Sequence, residues 1–220
     1  MNRKRPGTVH TLENFKYIAV PVIWQLLYML STVLLWKRTL YLELLFLAGL
    51  IFWFRKDFSI DRFIANIRRG KNFWIPVAAT AVALWLASFI TDRLKNGVFM
   101  GKADGLIGVV TYNVFEIIIY TLMTIFLMPV AENLFYRRAI LQFFGKQRLL
   151  AGFVIGTVLY ALSHALGWIG LLEYCLIGIP LTVSYILTGS LYVAVMANMI
   201  VNLVEIAEPF ATVLARIVLR

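Results

Sequence analysis

The sequence is largely apolar, and a few carboxyl, imidazole and amide side chains interrupt its later half. Glu132 lies in one apolar stretch, His164 in the next, and Asn198 and Asn202 in a third. Carboxyl and imidazole groups exchange protons, and amides donate and accept hydrogen bonds. Because ionisable groups deep in apolar segments are costly to bury, these residues are functional candidates by default.

The spacing of the polar residues predicts that they share helix faces. Residues four positions apart lie on the same side of a helix. Three pairs have this spacing: Asn133 with Arg137, Tyr160 with His164, and Asn198 with Asn202. Three helices could therefore turn polar faces toward one cavity. Glu132 precedes Arg137 by five positions, a wider angle that leaves direct pairing between the two open.

Each of these residues also has a purely structural interpretation. Intramembrane asparagines such as Asn202 often join helices by hydrogen bonds. Arg137, next to Arg138, has the pattern of an interfacial anchor, and a single histidine in a helix is more often structural than catalytic. Glu43 and Glu173 are interpreted as packing or interfacial groups. The combination of Glu132, His164 and the asparagine pair is what favours a functional site.

The elements that must position these residues are membrane-spanning helices. Hydrophobic residues make up 61% of the chain and charged residues 15%, whereas soluble domains are about half apolar and a quarter charged. The apolar stretches are continuous rather than alternating, which favours helices over a β-barrel. The net charge of +10 comes from short basic runs between apolar segments, so no nucleic-acid partner is predicted.

Counting apolar stretches of about 20 residues predicts an all-α bundle with about seven or eight transmembrane helices. The predicted spans are 17–36, 39–54, 73–91, one within 107–144, 149–166, 169–187 and 190–206. Residues 209–220 form either a short eighth span or an amphipathic surface helix. The chain divides into an N-terminal part (1–106), a core that holds the polar residues (107–206) and a short C-terminal helix (207–220).

The distribution of basic residues predicts the orientation. With a cytoplasmic N-terminus, the inner segments carry 14 lysines and arginines and the outer segments 5, which satisfies the positive-inside rule. The loop 55–72 is then cytoplasmic. The stretch 107–144 is too long for one simple span, and Pro129 predicts a kink within it.

The polar motifs resemble those of the CPBP family, the CAAX proteases and bacteriocin-processing proteins also called Abi. That family carries Glu-Glu-x-x-x-Arg, Phe-x-x-x-His and His-x-x-x-Asn on three transmembrane helices. The sequence has matching residues in the same order, with Asn133 at the second glutamate, Tyr160 at the phenylalanine and Asn198 at the third-motif histidine. The similarity covers about residues 110 to 206.

The resemblance implies an intramembrane endopeptidase that acts on a peptide or membrane-protein substrate within the lipid bilayer. Glu132 would activate water, His164 would orient or deprotonate it, and Asn198 and Asn202 would stabilise the oxyanion. Asn133, Arg137 and Tyr160 would support this site. No cofactor or metal is predicted, since catalytic zinc usually takes three protein ligands and the motifs offer one histidine and one glutamate.

Three functions remain open from the sequence. The first is an active peptidase in a bacterial plasma membrane, with a role in bacteriocin self-immunity or peptide processing. The second is a catalytically degenerate family member that binds a membrane partner without cutting it, which the substitutions at Asn133 and Asn198 motivate. The third is a small transporter with a proton-relay glutamate, which would call for inverted repeats that the sequence lacks.

Overall fold

The computed structural model describes residues 12–100, 102, 104–111 and 113–218, with side chains described from Phe15 to Ala207 and for Phe210 within those ranges. The described residues are mostly helical and contain no β-strand, so the predicted all-α class is confirmed. The eight helices are α1 (Leu12–Leu34), α2 (Thr39–Trp53), α3 (Ile60–Ile67), α4 (Lys71–Gly97), α5 (Val114–Phe144), α6 (Leu149–His164), α7 (Trp168–Thr188) and α8 (Leu191–Val218).

Within the described residues, four segments are long and apolar enough to cross a membrane: Phe15–Leu34, Lys71–Gly97, Val114–Phe144 and Trp168–Thr188, with a shorter apolar segment at Leu191–Ala207. Large apolar side chains on their outer faces, such as Leu30 and Trp85, are more than half exposed, as expected where lipid is the solvent. The 15-residue α2 and the 16-residue α6 reach only about 22–24 Å at 1.5 Å per residue. The fold is that of a multi-pass membrane protein, and the number of seven or eight spans stays a prediction.

The segment between α2 and α4 contains a short helix that the sequence did not predict. The Ser59 side chain caps α3 by accepting a hydrogen bond from the Arg62 N–H at 3.4 Å. Apolar residues lie mainly on one side of this helix, which is the pattern of a surface helix. Arg3, Lys4 and Arg5, which contribute to the predicted orientation, lie outside the described residues.

Helix α5 is the centre of the bundle. Its residues Ala131 to Tyr136 are almost fully buried and pack against α2, α6, α7 and α8. One apolar cluster joins α5 to α1, α2 and α6, and a second joins α4, α7 and α8. Helix α8 contributes residues to both clusters, Val195 to the first and Ala194 to the second. The bundle therefore brings the three predicted motif helices, α5, α6 and α8, against one another.

Just before Pro129, where the sequence predicts a kink, helix α5 has a widened helical turn. Residues Met123–Leu127 form a π-helical turn in which the Met128 N–H donates to the Met123 carbonyl, five residues back. Proline lacks an N–H and its ring clashes with the carbonyl four residues earlier, and a π turn just before it relieves that clash. A second π turn covers Asn133–Ala139. Glu132 lies between the two, so its direction does not follow from a regular α-helical count.

The ends of two helices are visible only in the structure. Helix α5 begins at Val114, within the predicted stretch 107–144, where the Asn113 side chain caps it by accepting a hydrogen bond from the Glu116 N–H at 2.9 Å. Helix α8 continues without a break to Val218, through the residues that the sequence assigned to a separate C-terminal helix.

Candidate active site

A carboxylate and an imidazole meet in the interior of the bundle. The Glu132 Oε1 atom of α5 lies 3.1 Å from the Nε2 atom of His164, the last residue of α6. Glu132 is 3% exposed, and the His164 side chain is also largely buried. The first two predicted motifs thus supply one Glu–His pair.

The hydrogen bonds of His164 define where its protons lie. The Nδ1 atom is 3.0 Å from the Tyr160 carbonyl oxygen, which can only accept, and 3.1 Å from the Ser163 hydroxyl. The Ser163 hydroxyl itself donates to the Tyr160 carbonyl at 2.7 Å. Nδ1 therefore carries a proton. Since neutral imidazole has one N–H, the contact between Nε2 and Glu132 requires a second proton, shared between those two groups.

A loop that precedes α5 fixes the end of α6 and with it His164. The His164 carbonyl accepts a hydrogen bond from the Ile107 N–H at 2.7 Å, and Leu106 forms an antiparallel β-bridge with Ala165. This close approach requires glycine, because a Cβ at Gly167 would lie 2.6 Å from the Asp104 carbonyl oxygen. The loop thus closes the end of α6 and holds the imidazole in place.

Aromatic rings and a buried guanidinium surround the pair. The His164 ring stacks on Tyr174 of α7, with centroids 4.1 Å apart. Arg137 is fully buried, and its guanidinium carbon lies 4.1 Å from the centre of the Tyr160 ring. The charges of Arg137 and Glu132 interact electrostatically. Arg137 is therefore a component of the interior rather than the interfacial anchor that its neighbour Arg138 suggested.

Asn133 bonds to its own helix. It is fully buried, and its Nδ2 donates to the Pro129 carbonyl at 2.7 Å. The Asn133 Oδ1 atom has no hydrogen-bond partner among the described residues. Asn133 thus lies beside Glu132 in the sequence but faces the backbone of the preceding turn.

Asn202 joins α8 to the π turn of α5. Its Nδ2 donates to the Thr124 carbonyl at 2.8 Å. In the five-residue pattern of that turn, Thr124 would pair with the N–H of residue 129, which is proline and has none. The Asn202 amide therefore supplies the hydrogen bond that Pro129 cannot, which matches the helix-joining interpretation of an intramembrane asparagine.

Asn198 lies one turn before Asn202 on α8 and makes no such bond. It is 5% exposed, and its Nδ2 is buried without a hydrogen-bond partner in the described part of the chain. Helix α8 packs against the Asn133–Ala139 segment that follows Glu132. A buried amide donor without a partner is costly, so Asn198 holds a donor free for another group.

Sequence reasoning missed one residue near this site, Glu43 of α2. It was interpreted as a packing or interfacial group, yet it is buried, and its charge interacts electrostatically with Glu132 and His164. Its position far from the motifs gave no signal in the sequence beyond the cost of an acidic residue in an apolar stretch.

The close contact between α5 and α6 rests on Gly156, whose Cβ, if present, would lie 2.5 Å from the Tyr136 carbonyl oxygen. Gly156→Ala should push the helices that carry Glu132 and His164 apart and lower the free energy of unfolding by about 1–3 kcal/mol. Thermal unfolding in detergent measures this. Gly97→Ala is the matched control, since a Cβ there meets nothing within 4 Å. Equal melting of the two variants would contradict the assigned contact.

The residues gathered here do not make a set that fits a metal ion. Across the described residues, no group of three or more histidine, cysteine, aspartate or glutamate side chains could hold one. Amides stand at Asn133 and Asn198, and amides are poor zinc ligands. A metal ion therefore has no assigned role at this site.

The fold and site define a class: a multi-pass helical membrane protein with a buried acid–base pair. Residues 114–204, which lie within the predicted core, match the family described as Rce1-like, type II CAAX prenyl endopeptidases. This match confirms the resemblance to CPBP intramembrane proteases, a hydrolase family. No curated protein and no solved structure gave a significant match.

Proposed function

We propose that this chain is an intramembrane endopeptidase in which Glu132 and His164 activate a water molecule. The contact of 3.1 Å between the Glu132 carboxylate and the His164 Nε2 atom is the observation that supports it. Two proton-exchanging groups from separate helices meet in a buried site, and such pairs perform general acid–base catalysis. The family match over residues 114–204 supports peptide-bond hydrolysis as the reaction.

In the proposed reaction, water enters between the pair and the scissile carbonyl. Glu132, as carboxylate, takes a proton from the water while the water oxygen bonds to the carbonyl carbon. His164 holds its Nδ1 proton on the Tyr160 carbonyl, so its Nε2 faces the Glu132 carboxylate and exchanges the proton with it. The proton gained by the pair passes to the leaving nitrogen as the C–N bond breaks, which returns the pair to its starting state.

Arg137 and Asn198 stabilise negative charge in the proposed reaction. Arg137, held on the Tyr160 ring, balances the negative charge of Glu132 in a site with little water. The unpartnered amide of Asn198 donates to the oxyanion of the tetrahedral intermediate. Asn202 is engaged with Thr124, so we assign it a positioning role instead of the oxyanion role expected from the motif. Tyr160 and Asn133 support α6 and α5, the helices that carry His164 and Glu132.

Replacing Asn198 and replacing Asn202 should have different effects on turnover and on stability. Asn198→Ala should lower turnover by about 10²–10³, the cost of one oxyanion donor, with little loss of stability. Asn202→Ala should leave the Thr124 carbonyl unpaired and lower the free energy of unfolding by about 1–2 kcal/mol, with a smaller effect on turnover per folded molecule. Thermal unfolding and cleavage rate, measured on the same preparations, test this. The reverse assignment would be indicated if Asn202→Ala gave the larger loss of turnover at unchanged stability.

The family description suggests the first substrate to try, a peptide with a prenylated cysteine near its C-terminus. The test is to incubate the purified protein in liposomes with a farnesylated peptide ending in Cys-a-a-X and to detect release of the last three residues by mass spectrometry. Unmodified peptides of the same sequence and transmembrane peptides are the further substrates. Failure to cut any of these would count against the peptidase.

A second candidate is a degenerate family member that binds a membrane protein without cutting it, for example in bacteriocin self-immunity. The observation that favours it is Asn133, an amide at the family's second glutamate, whose Nδ2 is already bound to the Pro129 carbonyl. A binding protein of this kind would keep its cellular phenotype after Glu132→Gln. For either function we propose a plasma membrane location with the N-terminus in the cytoplasm, on the basis of the basic residues.

A further inference from the structure

Helix α2 brings a second acidic side chain into the interior of the bundle. Glu43 is 8% exposed, and its Oε2 atom is buried without a hydrogen-bond partner in the described residues. Glu116, which is buried to a similar extent, differs because its carboxylate accepts a hydrogen bond from the Tyr41 hydroxyl at 2.8 Å. A buried carboxylate without a partner is costly as an anion, so Glu43 calls for an explanation that packing does not provide.

The side of α2 that carries Glu43 faces the candidate active site. Leu40, Leu47 and Leu50 of α2 belong to the same apolar cluster as Leu134 and Phe135 of α5. The Glu43 charge interacts electrostatically with Glu132 of α5 and His164 of α6. Among the described residues, the hydroxyls of Tyr28 on α1, Tyr120 on α5 and Tyr174 on α7 also interact electrostatically with it.

The balance of charge in this interior favours a carboxyl that holds a proton. Two carboxylates that share a buried site do not both ionise readily, and their protons come off in coupled steps. Arg137 supplies one fixed positive charge, and it interacts electrostatically with Glu132. One arginine cannot neutralise two carboxylates, so the balance of charge favours one proton held among Glu43, Glu132 and His164.

We propose that Glu43 is a positioning residue of the active site, a buried carboxyl group whose protonation is coupled to that of the Glu132–His164 pair and that sets the pH range in which the pair is active. This inference rests on the proposed peptidase function. Glu43 acts through the pair and forms no bond to substrate. Its protonation state changes the charge felt by both members of the pair at once.

The sign of the effect follows from the charge that is removed. Glu43→Gln removes a negative charge from beside the pair, so the pair should give up its proton at lower pH and the acidic limb of the pH–rate profile should move to lower pH. His164 loses an anion that favours its protonated form, so the alkaline limb should move in the same direction. Two groups that titrate as a coupled pair interact by at least about one pH unit, so Glu43→Gln should shift the whole profile down by about that amount.

The experiment compares pH–rate profiles of wild type, Glu43→Gln, Glu43→Asp and Glu116→Gln in the liposome assay. Infrared titration of the carboxyl band on the same samples adds a readout that needs no turnover. We expect Glu43→Gln to shift the profile and to remove one buried protonated carboxyl from the infrared spectrum. Glu43→Asp should keep the wild-type profile and the carboxyl band, and Glu116→Gln should keep the wild-type profile. A merely structural Glu43 would change stability and leave the profile where it is.

The outcomes distinguish a failure of the proposed Glu43 role from a failure of the proposed peptidase function. If wild type cleaves and Glu132→Gln does not, but Glu43→Gln keeps the wild-type profile and carboxyl band, the inference about Glu43 is wrong and the peptidase stands. If Glu132→Gln cleaves as fast as wild type, the proposed peptidase mechanism is wrong, and the Glu43 role fails with it. If no variant cleaves and removing Glu43 leaves the infrared titration unchanged, both proposals are overturned.

Discussion

Replacing Glu132 by glutamine is expected to abolish hydrolysis while the protein still folds. Glutamine keeps the shape of glutamate and can hydrogen-bond to His164, but it cannot take a proton from water. General base catalysis contributes about 10²–10⁴ to a rate, and no other group within hydrogen-bond distance of His164 Nε2 is a carboxylate in the described residues. A neutral amide is also cheaper to bury than a charge, so stability should be kept.

The measurement is the single-turnover rate in liposomes, with thermal unfolding of both proteins as the control for folding. Glu116→Gln is a matched control, since it removes a buried carboxylate elsewhere on α5. Loss of turnover in Glu132→Gln with an unchanged melting temperature supports the role of a base. Equal losses in both variants would point to a general cost of removing buried carboxylates instead.

Replacing His164 by alanine is the change with the second largest expected effect. The imidazole is the partner of Glu132, and its Nδ1 bond to the Tyr160 carbonyl fixes its orientation. Without it, Glu132 loses both a proton-sharing partner and its positioning, and turnover should fall by about 10²–10⁴. The cavity left against Tyr174 should also cost stability, by about 1–3 kcal/mol.

His164→Gln separates these two losses, because it fills more of the space and can still donate a hydrogen bond. It should recover stability without recovering turnover. Ser163→Ala is the neighbouring control: it removes a contact to Nδ1 but leaves the Tyr160 carbonyl in place, so the rate should change by less than about tenfold. A His164→Gln protein that cleaves at the wild-type rate would show that the imidazole only fills space.

The part of the site that lies on regular helices could be predicted from the sequence. The spacing of four between Tyr160 and His164 places both side chains on one face of α6, and the structure shows their rings in contact, with centroids 4.6 Å apart. The apolar stretches likewise predicted the long helices, because a helix that crosses the bilayer needs about 20 consecutive apolar residues, and such runs can be counted in the sequence. The pairing of Glu132 with His164 follows from the motif order only through the resemblance to a known family.

The remaining features depend on backbone that departs from the regular helix. The π turns on either side of Glu132 change its direction, and no spacing rule for regular helices includes them. The π turn at Met123–Leu127 also leaves the Thr124 carbonyl without a backbone N–H, because the residue that would donate to it is Pro129. Asn202 donates to that carbonyl instead, a pairing that the sequence spacing does not predict. Glu43 was missed for a different reason: tertiary packing alone brings α2 against α5.

The most direct test of the account is cleavage of the farnesylated peptide in heavy-oxygen water by wild type and Glu132→Gln in liposomes. Attack by an activated water predicts that wild type releases a product whose new C-terminal carboxyl carries one heavy oxygen atom, and that Glu132→Gln releases none above background. Labelled product formed at the same rate by both proteins would contradict the assignment of Glu132 as the base. Absence of product from wild type, with the cellular phenotype of Glu132→Gln intact, would support the binding protein instead.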